Sequence, residues 1–128
     1  MSNIIGLGVD ATEIDRIAAA IERYGDRFIR RVFTEAEIAY CTRRRVPAIH
    51  LAGRFAAKEA GMKALGTGHS QNVLWRDVEV VRAGGPPRLL FHGGAGERFS
   101  AMDAERSLLS ITHSETLALA QVLLIGRS

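Results

Sequence analysis

Apolar and polar positions follow two periods along this chain, and the elements change where the period changes. From Ile4 to Asp10 the residues alternate, with Ile5, Leu7 and Val9 on one face and Gly6, Gly8 and Asp10 on the other. A period of two predicts a strand, and the glycines leave their face open to a close approach near Asp10. A helical spacing follows from about Thr12 to Tyr24, with Ile14, Ile17, Ala18 and Ile21 on the apolar stripe and Gly25 as its stop. A short helical piece is expected near Arg27–Val32. Thr34 with Glu37 three residues on reads as a capping box that opens a helix to about Arg44, and Pro47 breaks the chain. The longest predicted helix runs from about Ala48 to Leu65 and ends before Gly66.

Strands are predicted at about Val78–Arg82 and Arg88–Phe91, around the turn Gly84-Gly85-Pro86-Pro87. A short helix near Gly96–Met102 and two last strands, Leu108–Thr112 and Leu117–Leu124, complete the series, the strands joined by a turn at His113–Glu115. There is no repeat and no low-complexity linker. The order predicts an α+β fold in which a largely antiparallel sheet packs against the long helix.

A length of 128 residues suits one domain over 1–128. With 47% hydrophobic residues and a net charge of only +3, disorder is excluded as the main state. No apolar run approaches the roughly 18 residues of a membrane span, and the opening MSNIIGLGVD lacks the marks of a secretory signal. The single Cys41 supports neither an internal disulfide nor a thiolate cluster, which suits a reducing cytoplasm; it reads as a small apolar filler on a helix.

The cations change this bland picture. Of 17 basic residues 15 are arginine, and the only lysines are Lys58 and Lys63. Residues 16–45 carry eight arginines against four acids. Such a surface attracts acidic or phosphate-bearing partners, although a solvated arginine-rich helix face is the plainer reading. A small basic nucleic-acid-binding module is the rival from another class. No aromatic platform accompanies the arginines and no DNA-reading motif is present, so no nucleic-acid partner is expected.

Four places carry candidate chemistry. Asp10, with Glu13, reads either as an N-cap box or as a carboxylate held at a strand end. On the long helix, Glu59 with Lys63 and Arg54 with Lys58 stand at i, i+4. They read either as surface pairs worth a few tenths of a kcal/mol, or as a carboxylate flanked by lysines and suited to Mg²⁺ and phosphate. Gly66-Thr67-Gly68 is either a C-cap or a turn whose N–H groups cradle phosphate; its place after a helix C-terminus favours the cap. His113 ends a strand and shares a face with Leu109 and Ile111, as a structural residue or a phosphate ligand.

Three blocks together resemble the holo-[acyl-carrier-protein] synthase family, the short trimeric type of 4′-phosphopantetheinyl transferase. They are Gly6-Leu7-Gly8-Val9-Asp10 with Thr12-Glu13 and Arg16-Ile17; Ala52-Gly53-Arg54-Phe55-Ala56-Ala57-Lys58-Glu59-Ala60 through Lys63 to Gly66-Thr67-Gly68; and Ser110-Ile111-Thr112-His113-Ser114. The resemblance covers nearly the whole chain. It implies transfer of the 4′-phosphopantetheine arm of coenzyme A to a serine of apo-acyl carrier protein, with release of adenosine 3′,5′-bisphosphate. It further implies Mg²⁺ held by Asp10 and Glu59, with Lys63 on the pyrophosphate. Arg54, Lys58, the Gly66–Gly68 turn and His113 match positions around the nucleotide, and Arg16, with the helix after it, matches the face that docks the carrier. Acyl carrier proteins are acidic, so the arginine excess would steer docking, with Arg16, Arg23 and Arg27 in front. The proton acceptor is Glu59 or a metal-bound water polarised by Asp10.

The resemblance also implies a homotrimer with active sites at subunit boundaries, its interface drawn from Leu117, Leu119, Val122 and Leu124. A non-catalytic carrier-protein adaptor is the other rival. Three departures from the family stand out: His69 where an apolar residue is common, Glu115-Thr116 after the histidine motif, and the small residues Ala18–Ala20 on the docking helix.

Overall fold

The computed structural model describes residues 3–127; Met1 and Ser2, which begin the segment read for a signal, and Ser128 lie outside them. The first strand, β1 (Asn3–Glu13), pairs antiparallel with the last, β5 (Leu117–Gly126), which pairs on its other side with β4 (Ala104–His113), giving the order β1-β5-β4. The remaining strands, β2 (Val78–Val81) and β3 (Arg88–Phe91), form a separate hairpin rather than extending that sheet.

β1 is longer than its alternation predicts. Its ladder with β5 runs to Glu13↔Leu117, so α1 (Ile14–Tyr24) starts two residues late and Thr12 is a buried strand residue. The N-cap reading of Asp10 therefore fails. Glu13 holds that position and makes no side-chain cap bond. Continued ladder hydrogen bonding satisfies the backbone here and takes the place of a cap. The capping box at Thr34 is present in full: Thr34 Oγ1 accepts from Glu37 N at 3.2 Å and Glu37 Oε1 accepts from Thr34 N at 2.8 Å. It opens α3 (Glu35–Thr42), which follows the short α2 (Asp26–Val32).

The long helix α4 (Pro47–Leu65) begins with Pro47 in its first turn, where the missing N–H costs nothing. It lies across the inner face of the three-stranded sheet, over Ala118, Ala120, Val122 and Leu124 of β5, all fully buried. The room left by Gly6 and Gly8 belongs to this helix: a Cβ on either would strike the α4 backbone at Ala64 or Ala60. The apolar side of β1 faces outward instead, with Leu7 at 57% and Val9 at 44% exposure. Register puts Leu7, Leu123 and Leu108 in one outer row and Ala11, Leu119 and Thr112 in another. Val122 and Leu124 point the opposite way into the core, so of the four residues expected at an interface only Leu117 and Leu119 are exposed.

The hairpin covers another side of α4, where Gly61 lets Val78 and Leu89 come close. The helix α5 (Gly93–Ala101) starts three residues earlier than predicted and packs near it. A second apolar cluster joins α1, α2 and α3 to the first half of α4 through Ile14, Ile17, Phe33, Cys41, Leu51 and Phe55. Cys41 is fully buried there, and desolvation, opposed in part by the Arg54 guanidinium, pushes its thiol up to about 11. The filler reading of Cys41 holds. No helix among the described residues is long and apolar enough to cross a membrane.

α4 is thus buried almost all round, and this overturns the surface-pair reading of Arg54 and Lys58. Lys58 has no exposed side-chain surface, and neither has Glu37, whose carboxylate lies 2.7 Å from its Nζ. The Lys58 ammonium also donates to Val78 O at 2.6 Å and Trp75 O at 3.1 Å, so all three protons are placed. Glu37 accepts from Val80 N at 2.9 Å. One buried pair therefore ties α3, α4 and the start of the hairpin together. Nearby, Glu79 accepts from Thr34 Oγ1 at 2.6 Å and from His92 at 2.9 Å. Burial works against the Glu79 charge, but these bonds outweigh it and hold its carboxyl below the usual range.

Removing one partner of a buried pair strands the other, so Lys58→Ala should cost about 3–5 kcal/mol in denaturant unfolding. The double variant Lys58→Met/Glu37→Gln, which leaves no bare charge, should recover part of that loss. The Glu79 contribution runs with pH. Because its folded pKa lies below its ordinary value of 4.5, the stabilisation is complete above that pH and is lost as the pH falls through the folded value. Glu79→Gln should lower Tm at neutral pH and flatten the fall of Tm in acid, as read by circular dichroism melts.

Candidate functional site

The approach of β1 to α4 brings Asp10 and Lys63 together. Lys63 Nζ lies 3.1 Å from Asp10 Oδ1 and donates to Val9 O at 3.1 Å. Thr12 Oγ1 donates to the other Asp10 oxygen at 2.7 Å, which fixes the carboxylate plane from its own strand. Glu59 stands one helical turn before Lys63 on the same face. Its Oε1 lies 3.5 Å from His69 Nε2, and the His69 ring packs against Trp75 with centroids 4.4 Å apart and the planes inclined by 53°. His69 entered the sequence reading only as a departure; its place beside Glu59 follows from the loop after α4, which no short-range pattern encodes.

The two carboxylates offer hard oxygen donors. That donor set fits Mg²⁺, which takes one or two protein carboxylates and fills its remaining positions with water and phosphate oxygens. Among the described residues no group of three or more His, Cys, Asp or Glu forms a full protein cage, so a metal here would depend on outside oxygens.

The Gly66–Gly68 turn is a helix cap. Gly66 N donates to Lys63 O, and Thr67 N and Gly68 N donate to Met62 O, at 3.0, 3.2 and 3.3 Å. With φ of 76° and 54°, Gly66 and Gly68 take backbone conformations that favour glycine. These N–H groups are spent on α4 and the cradle reading fails. Lys58, sealed by Glu37 and two carbonyls, has no proton left for a phosphate and also leaves the group expected around the nucleotide.

Arg54 and His113 do meet. They line a cavity of about 150 Å³ with Tyr40, His50, Arg82, Pro87 and Ile111. Arg54 is only 6% exposed, and its guanidinium lies 4.0 Å from the centre of the Tyr40 ring, as does that of Arg44. The Arg54 Nε is buried without a hydrogen-bond partner. A buried donor left unpaired costs about 1–3 kcal/mol, which an anionic acceptor would relieve. Burial, then the Arg54 charge, lowers the pKa of His50, so at neutral pH its imidazole is uncharged. Arg82 and His50 were missed from sequence because they come from the hairpin turn and the first turns of α4, which only the fold brings together.

The two clusters flank α4 on different sides. In the sheet row Asp10–Ala120–Ile111, α4 lies over the middle residue; Asp10 and Lys63 stand on the β1 side and the Arg54–His113 cavity on the β4 side. The strands at its two ends are separated by about two strand spacings, roughly 10 Å. Arg16, Arg23 and Arg27 are exposed on α1 and α2, and among the described residues none pairs with a carboxylate. Arg16 lies 5.9 Å from the Phe55 ring centre and Arg23 lies 5.3 Å from that of Tyr24.

This arrangement has relatives. A holo-[acyl-carrier-protein] synthase of Solibacter usitatus is 49% identical over 122 residues, covering 94% of this chain and 98% of that one. A crystal structure of holo-[acyl-carrier-protein] synthase from Neisseria meningitidis superposes with a TM-score of 0.87 at 30% identity, over 95% of this chain and 98% of that one. One from Helicobacter pylori, in complex with coenzyme A, gives a TM-score of 0.81 at 26% identity, over 92% and 98%. Residues 6–120 match the family model of the 4′-phosphopantetheinyl transferase superfamily, a span that takes in the acids, the lysine and the arginine cavity alike. Sequence and fold agree, and the chain belongs to the 4′-phosphopantetheinyl transferase superfamily.

Proposed function

We propose that the protein is a holo-[acyl-carrier-protein] synthase that acts in the cytoplasm as a single domain over 1–128. The serine oxygen of an apo-acyl carrier protein attacks the phosphorus that carries the pantetheine arm of coenzyme A. The phosphoanhydride bond breaks, and adenosine 3′,5′-bisphosphate leaves. The observation that carries this reading is the Asp10–Lys63 contact across the α4–β1 packing, with Glu59 one turn away. Phosphoryl transfer asks for positioning and charge neutralisation rather than covalent chemistry from the protein. Lys63 would steady the departing phosphate, and its tether to Asp10 and Val9 O sets its position before substrate arrives. Asp10 and Glu59 would hold Mg²⁺, which when bound neutralises charge on the pyrophosphate. The serine proton passes to Glu59 or to solvent near Asp10.

The cavity of Arg54, Arg82, His50 and His113 is the natural seat for the nucleotide phosphate, and the orphaned Arg54 Nε favours an anion there. Both clusters serve one coenzyme A if they come from different copies, since within one chain α4 stands between them. The outer rows of the sheet, apolar at Leu7, Leu123, Leu108, Ala11 and Leu119, offer the surface on which copies would meet, and a homotrimer with sites at its boundaries would bring the two clusters together.

Incubation with coenzyme A, Mg²⁺ and apo-acyl carrier protein should add the mass of one phosphopantetheine to the carrier; binding without that gain would indicate an adaptor. Asp10→Asn and Glu59→Gln keep shape and remove charge, so each should lower transfer at least 100-fold with the melting curve preserved, and full activity in either would take that residue out of the site. Leu7→Asp with Leu119→Asp should convert the assembly to monomers in light scattering and abolish transfer with it. An active monomer would overturn the shared-site reading.

A further inference from the structure

The cavity on the β4 side of α4 gathers basic groups, and no carboxylate is among its lining residues. Arg82 is tethered there by its Nε, which donates to Gly85 O at 3.1 Å and leaves the rest of the guanidinium for another acceptor. His113 is held by its Nδ1, which donates to Ser114 O at 3.2 Å. Arg54 keeps its buried Nε unpaired. His50 stands one turn before Arg54 on the same face of α4. Its ring lies 6.4 Å from that of Tyr40, edge to face, and among the described residues it pairs with no carboxylate.

The groups that face His50 come from four elements: Arg54 on its own helix, Tyr40 and Arg44 from α3 and its end, Arg82 just after β2, and His113 at the end of β4. Every charge among them is positive. Burial first, and these charges after it, disfavour a proton on the imidazole. A phosphate monoester inverts that balance, since it brings close to two negative charges and three strong acceptor oxygens. Coenzyme A has one such group, the 3′-phosphate, apart from the pyrophosphate assigned to Lys63.

We propose that His50 is a proton-coupled ligand of that phosphate: it meets the anion as an imidazolium, takes one proton from solvent as coenzyme A or adenosine 3′,5′-bisphosphate binds, and returns it when the product leaves. The inference rests on the nucleotide reading of this cavity and adds to it a residue, a charge state and a direction with pH. Linkage is reciprocal: an anion that favours the proton is favoured by it, so affinity falls as the pH rises and His50 loses that proton. The second ionisation of the phosphate, with a pKa of about 6, acts in the opposite sense and is nearly complete above neutral pH. His50 binds and takes no part at the reacting phosphorus.

Calorimetric titration of adenosine 3′,5′-bisphosphate into the protein, repeated in two buffers of different ionisation heat, counts the protons. Wild type should take up about half a proton or more near pH 7. Its Kd should rise about threefold or more between about pH 7 and pH 8.5. His50→Gln should take up none, bind about threefold or more weakly near pH 7, and lose the rise of Kd with pH. His113→Gln should keep the uptake. Proton NMR of wild type needs no variant: the His50 Cε1–H resonance should move to its imidazolium position when the nucleotide is added near pH 7. Uptake that survives His50→Gln, weaker binding there with an unchanged proton count, or an unmoved resonance overturns the inference. Wild type that binds the nucleotide with uptake yet transfers nothing to the carrier sinks the transferase reading alone. Transfer without uptake sinks the inference alone, and wild type that binds neither the nucleotide nor coenzyme A sinks both.

Discussion

A strand and a helix meet backbone to backbone at Gly6 and Gly8, and much else is set by that approach. Side chains at those positions would collide with the α4 main chain at Ala60 and Ala64. Without them, α4 settles low enough for Lys63 to reach both Val9 O and the Asp10 carboxylate. The contact orders the long Lys63 side chain and the Asp10 carboxylate before any ligand is present, so their conformational cost is met by folding rather than by binding. It also decides which side of β1 is left over. The apolar residues Leu7 and Val9 have no helix above them and remain on the outside.

The helix that results is enclosed by elements on nearly all sides, and enclosure gives each of its polar residues a different task. Lys58 is neutralised and saturated by Glu37 and two carbonyls, so it joins the layers and does nothing else. Arg54 is as deeply set, yet one of its donors is left unused and it borders open space. Glu59 and Lys63 are at the margin where α4 emerges. Four charged residues within ten positions thus divide between sealed and open by what packs over them, and the division has nothing to do with their type.

Periodicity made the element order legible, together with the capping box at Thr34 and the stop at Gly66, since these depend on neighbours within a few residues. It failed where a distant partner decides. The β1 ladder overrides the cap at Asp10 because β5, more than a hundred residues later, continues to pair. The alternation of β1 does encode two faces, but a face of glycines is the buried one only because α4 covers it. Lys58 and Glu59 are adjacent in sequence, and no local rule tells the sealed one from the open one. The family blocks pointed to Asp10, Glu59, Lys63, Arg54 and His113; of these the fold pairs Asp10 with Lys63 and sets Arg54 and His113 on one cavity. Tyr40, His50 and Arg82, whose spacing follows no motif, became visible only when α3, α4 and the hairpin turn were seen to close on one cavity.

The scarcity of lysine has a chemical corollary. Guanidinium groups are poor nucleophiles at neutral pH, whereas an amine attacks activated esters and thioesters. Of the two side-chain amines in this chain, one is walled in and one is about half open to solvent, at Asp10. A basic surface built from arginine therefore attracts acidic macromolecules while offering acylating reagents essentially a single side-chain target, so that labelling of Lys63 would chart occupancy of its surroundings against almost no background.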